Sequence, residues 1–87
     1  MLKSHSTRIV SEVVRQLREL RQKKGLSHEA LALKAGVSRP AVSHIESGKR
    51  KPSLMVAVKL CDALGVDLSR ILQEVEQRHP MSGLKNL

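Results

Sequence analysis

Polar and basic side chains between residues 38 and 51 have the types and spacing that contact with a polyanion requires. Arg39 and Ser43 are four residues apart and His44 follows directly, so a helix here would carry them on one side. A guanidinium donates two parallel hydrogen bonds, whereas a hydroxyl or an imidazole offers single ones. Three consecutive basic residues, 49–51, come next. Because guanine edges and phosphate oxygens accept such bonds, the stretch predicts a nucleic-acid contact.

The net charge of the chain is concentrated around this stretch. The 87 residues include 16 Lys and Arg against 8 Asp and Glu, which gives a formal net charge of +8. Residues 1–51 hold 12 basic and 4 acidic residues, whereas residues 52–87 hold 4 of each. A one-sided positive field of this kind favours nucleic acid or an anionic membrane surface as the partner.

Length and composition exclude several other classes of protein. A chain of 87 residues has room for one small domain. Its longest apolar run, 54–58, is far shorter than the ~20 residues of a membrane span, and residues 1–6 lack the apolar segment of a signal peptide. The single cysteine, Cys61, fits a reducing compartment, so a cytoplasmic location is expected.

Catalytic and metal-binding residues are not predicted. Neither Cys61 nor any of the 4 histidines has the close spacing of zinc ligands, and Cys61 falls on an apolar helix face where a buried side chain is expected. No Ser–His pair has an orienting acid, and the glycines are dispersed rather than gathered in a phosphate-binding loop. The sequence therefore predicts no enzyme activity, no cofactor and no metal.

Glycines and N-cap residues divide the chain into five predicted helices. The glycines that end helix-like segments are Gly25, Gly36, Gly48 and Gly65. The residues suited to N-caps are Ser27, Ser38, Ser53 and Asp67. The predicted helices span 7–24, 27–35, 38–47, 53–64 and 67–78. Since no segment alternates with a period of two residues, we predict an all-α domain over 7–78, with a flexible arm at 1–6 and a loose tail at 79–87.

The apolar residues predict how these helices pack. The third helix has only Val42 and Ile45 in helical register, so it is expected to be polar on its other sides. The fourth is the most apolar and is expected to be central, with an inward stripe of Leu54, Val58, Cys61 and Leu64 and with Ala57 and Leu60 beside it. The fifth carries Leu68, Ile71, Leu72 and Val75.

Residues 26–48 describe two short helices joined by the turn Ala35-Gly36-Val37. A three-residue turn with glycine at its left-handed position sets two helices at a steep angle. The second helix then leaves its polar residues outward, and such a helix fits a DNA major groove.

These residues resemble the Cro/C1-type, or XRE-type, helix-turn-helix family. The matching segments are Leu20-Arg21, Gly25-Leu26-Ser27-His28-Glu29-Ala30-Leu31-Ala32, Ala35-Gly36-Val37-Ser38 and Val42-Ser43-His44-Ile45-Glu46-Ser47-Gly48-Lys49-Arg50-Lys51-Pro52. The resemblance covers roughly residues 13–72 and implies a compact five-helix lambda-repressor-like fold. It also implies an ion pair between Arg21 and Glu46 that supports the recognition helix. The chain departs from the family at His28, where glutamine is usual, and at Pro40, which removes a hydrogen-bonding side chain from a position that often reads DNA.

The site residues expected from the spacing and the resemblance form two groups. Residues expected to read bases are Arg39, Pro40, Ser43 and His44. Residues expected to contact phosphates are His28, Ser38, Lys49, Arg50 and Lys51.

Two functions remain open at this stage, with double-stranded DNA as a partner in both. The first is a transcriptional regulator that binds a two-fold operator as a homodimer. Helix 5 and the end of helix 4 are the expected dimer surface, because the apolar residues of helix 5 exceed what one small core needs. The alternative is an antitoxin or adaptor that mainly binds a protein partner and binds DNA for autoregulation. A membrane binder is disfavoured, because the chain has no Phe, Tyr or Trp for the apolar face of an interfacial helix.

Overall fold

The computed structural model describes residues 4–80, and five helices with no strand account for the regular structure in that range. Their bounds are α1 His5–Lys23, α2 His28–Ala35, α3 Arg39–Glu46, α4 Leu54–Leu64 and α5 Leu68–Arg78. The predicted all-α fold of five helices is confirmed, and each helix begins and ends within two residues of its expected bounds.

The largest difference in bounds is at the start of α1. Ser4 is its N-cap, and the Ser4 hydroxyl accepts a hydrogen bond from the backbone N–H of Thr7 at 3.1 Å. Residues 5 and 6 of the expected arm therefore belong to the helix. Residues 1–3 of that arm and residues 81–87 of the expected tail lie outside the described part of the chain.

Serine side chains and glycine dihedrals set the limits of the other helices. The hydroxyls of Ser27, Ser38 and Ser53 each accept the backbone N–H three residues later, at 3.0, 3.2 and 3.1 Å. Asp67 holds the N-cap position of α5, but its side chain makes no capping bond. Gly36 ends α2 with φ of 72°, a left-handed conformation that costs glycine little because it has no Cβ. This conformation makes the sharp turn into α3.

The core is entirely aliphatic apart from one thiol. Among residues 4–80 its buried members are Val13, Leu17, Leu31, Ala32, Val42, Ile45, Ala57, Leu60, Cys61, Leu64, Ile71 and Val75. Helix α4 packs against α1, α2 and α5, so its predicted central position is confirmed. Burial raises the pKa of the Cys61 thiol, and the nearby Asp62 and Asp67 carboxylates add to that rise.

The structure corrects the predicted inward face of α4. Leu54 and Val58 were expected inside but are 74% and 40% exposed. The buried face is formed by Ala57 and the residues that follow it at helical spacing; Leu54 lies in the first turn, and Val58 stands about 100° around the axis from Ala57. With Met55, these two side chains leave an apolar surface at the start of α4.

Helix α5 does not have the surplus of apolar side chains on which the predicted dimer surface was based. In the structure Ile71 and Val75 are buried, and Leu68 and Leu72 pack against the same core while partly exposed. The apolar side of α5 is thus used within the domain.

Within residues 4–80 no helix is long and apolar enough to cross a membrane. Over the same range, no three His, Cys, Asp or Glu side chains lie together as ligands of a metal ion would.

We expect Leu31→Ala to lower the free energy of unfolding by about 2–5 kcal/mol, because it removes a side chain only 1% exposed and leaves a cavity. Urea denaturation followed by far-UV circular dichroism measures this change. The matched control is Leu33→Ala in the same helix, where the side chain is 85% exposed and its loss should matter little. Equal losses for the two variants would contradict the assigned core.

Candidate nucleic-acid interface

Helix α3 has one buried side and one outward side. Val42 and Ile45 are 1% and 3% exposed and fix the helix against the core. Among the four residues expected to read bases, Arg39 and Pro40 are exposed, and Ser43 and His44 are partly exposed. The structure therefore brings all four to the accessible surface of one short helix.

The first turn of α3 is organised to receive an acceptor. Pro40 stands in that turn, where its missing N–H would have had no partner within the helix. The Ser38 hydroxyl accepts from the Ala41 N–H at 3.2 Å, and its own proton stays available for donation to a ligand. The positive end of the helix dipole lies at the same point. This end of α3 thus suits an anionic partner.

The basic loop is tied to the end of α3 through one carbonyl. The carbonyl oxygen of His44 accepts the backbone N–H of Arg50 and the Ser47 hydroxyl, both at 3.1 Å. Lys49, Arg50 and Lys51 are all exposed. Their positive charge is therefore held directly beyond the last turn of the helix.

Arg21 and Glu46 form the ion pair that the resemblance implied. The Arg21 Nε and Nη2 atoms donate to the two carboxylate oxygens of Glu46 at 2.7 and 2.9 Å, a bidentate arrangement. The remaining Nη1 donates to the Leu26 carbonyl at 2.6 Å. The two side chains are only 11% and 10% exposed. One guanidinium thus links α1, the turn before α2 and the end of α3.

His28 has a partner that the sequence did not indicate. Its Nε2 lies 3.0 Å from the Glu46 Oε1 that also accepts from Arg21. A carboxylate only accepts, so Nε2 carries the proton and the neutral ring keeps no donor at Nδ1. Neutral His28 therefore cannot donate to a phosphate through its ring, contrary to the simplest form of its expected role. Only the doubly protonated ring can bond both Glu46 and a phosphate.

The pKa of Glu46 reflects this crowded position. Burial raises it, but the hydrogen bonds from Arg21 and His28, with the Arg21 charge, outweigh burial and hold the pKa below its ordinary value. The carboxylate is therefore ionised at neutral pH and able to hold both partners.

Two features of the surface were missed at the level of sequence. One is the His28–Glu46 contact, which joins residues 18 positions apart and leaves no local signal. The other is Arg18, which lies three residues before Arg21 and hence on the same side of α1. Helical spacing from Arg21 was the available signal for Arg18.

Arg21→Ala should lower the free energy of unfolding at pH 7 by about 1–3 kcal/mol, less than the ~3–5 kcal/mol of a fully buried pair, because it leaves the mostly buried Glu46 carboxylate without its main partner. The pKa of Glu46 is depressed in the folded protein, so the stability from the pair is present above the unfolded pKa of ~4.3 and is lost as pH falls through the folded value. The difference in the free energy of unfolding between wild type and Arg21→Ala should become smaller in acid. Urea denaturation at several pH values measures it.

Arg15→Ala is the matched control for this experiment. Arg15 pairs with Glu12 and Glu19, but its side chain is 48% exposed, so little change in stability is expected. If the free energies of unfolding of wild type and Arg21→Ala differed by the same amount at every pH, the result would argue against this ion pair.

Comparisons with known proteins agree with this geometry. A family model described as helix-turn-helix matches residues 17–71, more than half of the chain. YgzD, an uncharacterized HTH-type transcriptional regulator of Bacillus subtilis, is 38% identical over 56 residues, which are 64% of this chain and 85% of that protein. Control protein C.MunI of a Mycoplasma species is 36% identical over 63 residues, or 71% and 85% of the two chains.

A longer relative shares only this domain. The HTH-type transcriptional regulator PuuR of Escherichia coli is 35% identical over 63 residues, which are 72% of this chain but only 34% of PuuR. No solved structure gave a significant match. The matched range includes the Arg21–Glu46 pair, the turn at Gly36 and the whole of α3. The chain therefore belongs to the XRE-type helix-turn-helix family of DNA-binding transcriptional regulators.

Proposed function

We propose that the protein binds a specific two-fold DNA operator as a homodimer, in the cytoplasm, with α3 in the major groove. The observation that carries the proposal is the division of α3 into two sides. Its only buried residues, Val42 and Ile45, face the core, whereas its polar residues face outward next to a basic loop. Such an arrangement suits a helix that enters a groove.

In this proposal the outward residues of α3 read base edges. Arg39 donates to the O6 and N7 atoms of one guanine, which is the most discriminating contact available to the set. Ser43 and His44 form single hydrogen bonds with neighbouring bases. Pro40 contributes an apolar contact, for which a thymine methyl group is the matching partner.

Phosphate contacts flank the base contacts. We assign them to Ser38, Lys49, Arg50 and Lys51, with His28 contributing in its protonated form. The proposal for Ser38 rests on its free hydroxyl proton at the start of α3, and that for residues 49–51 on their exposed positive charge. These contacts position the helix, and they bind any duplex alike.

A homodimer follows from the small size of the reading element. Helix α3 has eight residues, so one copy reaches only a few base pairs. Two copies on half-sites about 34–36 Å apart would double the contacts and give the operator a two-fold sequence.

A second candidate function is binding to a different protein, as an antitoxin or adaptor does. The observation in its favour is the exposed apolar surface of Leu54, Met55 and Val58 at the start of α4, since exposed apolar side chains often mark protein contacts. Because both candidates bind DNA, the observation that distinguishes them is a cognate toxin encoded beside this gene, which the second candidate requires.

For wild type we expect selection from random DNA to recover an inverted repeat, with sedimentation reporting a dimer. Arg39→Ala should lose about 1–3 kcal/mol of preference at one base pair in each half-site, because the bidentate guanine contact is removed. Titration of labelled operators that carry each base at that position measures the loss.

Unrelated duplex DNA is the control for the Arg39 variant. If Arg39→Ala weakened binding to unrelated DNA by the same factor as to the operator, Arg39 would be a phosphate contact. A selection that returned no motif would contradict the proposed function itself.

Lys49→Ala should weaken binding to the operator and to unrelated DNA alike, because a phosphate contact carries no base information. The slope of the logarithm of affinity against the logarithm of salt concentration should fall by about 0.9. The matched control is Lys23→Ala, because Lys23 is also exposed but lies in the groove between α1 and α5. An unchanged slope for the Lys49 variant would remove the loop from the interface.

A further inference from the structure

A surface depression of about 240 Å³ lies beside α3, where α1, α2 and α3 meet. Its lining residues are Arg18, Arg21, His28, Ser43, Glu46 and Ser47. The buried ion pair forms its floor, since the side chains of Arg21 and Glu46 are nearly inaccessible. Arg18 and Ser47 are exposed at its rim, and Ser43 is partly exposed.

Arg18 supplies the uncompensated charge of this depression. Arg21 and Glu46 neutralise each other. The arginines three residues to either side, Arg15 and Arg21, both pair with carboxylates. Within residues 4–80 no carboxylate lies within ion-pair distance of Arg18. The depression is therefore positive, and Arg18 is able to bind an anion from outside.

A hydroxyl group accompanies this charge. No hydrogen bond between residues 4 and 80 uses the Ser43 side chain, so its proton is available to a ligand. The Ser47 hydroxyl, by contrast, donates to the His44 carbonyl at 3.1 Å. A guanidinium and a free hydroxyl at the edge of one depression suit the oxygens of a tetrahedral phosphate.

The depression lies in line with the proposed base contacts. Arg39, Ser43 and Ser47 are spaced four residues apart and form one row along α3, and the last two line the depression. A helix in the major groove runs between two phosphate backbones that are ~12 Å apart. A cation beside the row, on the neighbouring α1, is in position to meet one of those backbones.

We propose that Arg18 binds a phosphate of the DNA backbone in this depression, with the Ser43 hydroxyl as a second donor. This inference rests on the proposed function and adds a contact on α1 to those on α3 and the loop. It also places a cation in the same depression as His28, whose Nε2 lies 3.0 Å from the Glu46 carboxylate.

The test compares Arg18→Ala with wild type on the full chain. Affinity for the selected operator and for an unrelated duplex is measured over a series of salt concentrations. The salt slope should fall by about 0.9, and both affinities should drop about eightfold at 0.1 M salt, the factor that such a slope change implies. Arg18→Lys keeps the charge and should retain the wild-type slope.

The matched control is Arg70→Ala. Arg70 is an exposed arginine in the groove between α1 and α5, away from α3, and its loss should leave both affinities unchanged. Thermal unfolding of both variants verifies the fold, which exposed arginines are not expected to alter.

Three outcomes would overturn the inference while leaving the proposed function intact. One is an unchanged slope for the Arg18 variant when Lys49→Ala lowers it. Another is a loss confined to the operator, which would make Arg18 a base contact. The third concerns free phosphate. In this outcome, replacing chloride by inorganic phosphate at constant ionic strength weakens the binding of DNA by wild type but not by Arg18→Ala, and in chloride the variant binds DNA as tightly as wild type. The depression would then be a site for free phosphate and not for the DNA backbone. A wild-type protein that binds no DNA would instead contradict the proposed function.

Discussion

One guanidinium holds the recognition helix in place. An isolated helix of eight residues is unstable in water, so the direction of α3 depends on the packing of Val42 and Ile45 in the core and on what its two ends contact. At its start the Ser38 hydroxyl caps the first turn. At its end both carboxylate oxygens of Glu46 accept hydrogen bonds from Arg21. Because Arg21 also holds the Leu26 carbonyl, three chain segments share a single point of attachment. This attachment acts with the packing of Val42 and Ile45 to set the orientation of the outward residues of α3.

Ion pairs within the domain reduce the positive charge that is available to a partner. Arg15 and Arg21 belong to the basic half of the chain, but carboxylates of the same domain compensate them. Arg18 and the basic loop are exposed beside and beyond α3 without such partners, and further exposed lysines, such as Lys23, Lys34 and Lys59, lie elsewhere on the domain. The positive charge beside α3 is therefore available to an anionic partner.

Local signals in the sequence were sufficient for the fold but not for all of the site. Serine caps, glycine turns and apolar spacing predicted five helices, because each depends on residues close together in the chain. The burial of Leu54 and Val58 was predicted wrongly, since periodicity does not report how far a neighbouring helix extends. The His28–Glu46 contact was missed for the same kind of reason: it depends on how α2 and α3 cross. The ion pair was anticipated only through resemblance.

The aliphatic core has a consequence for how this protein can be observed. Without Phe, Tyr or Trp the chain has no intrinsic fluorescence and almost no absorbance at the usual protein wavelength, so its folding is optically silent there. Cys61 provides a chemical probe instead. It is the single thiol, it is 1% exposed, and burial disfavours its reactive thiolate. The rate at which a thiol reagent modifies Cys61 therefore reports how often the centre of the domain opens.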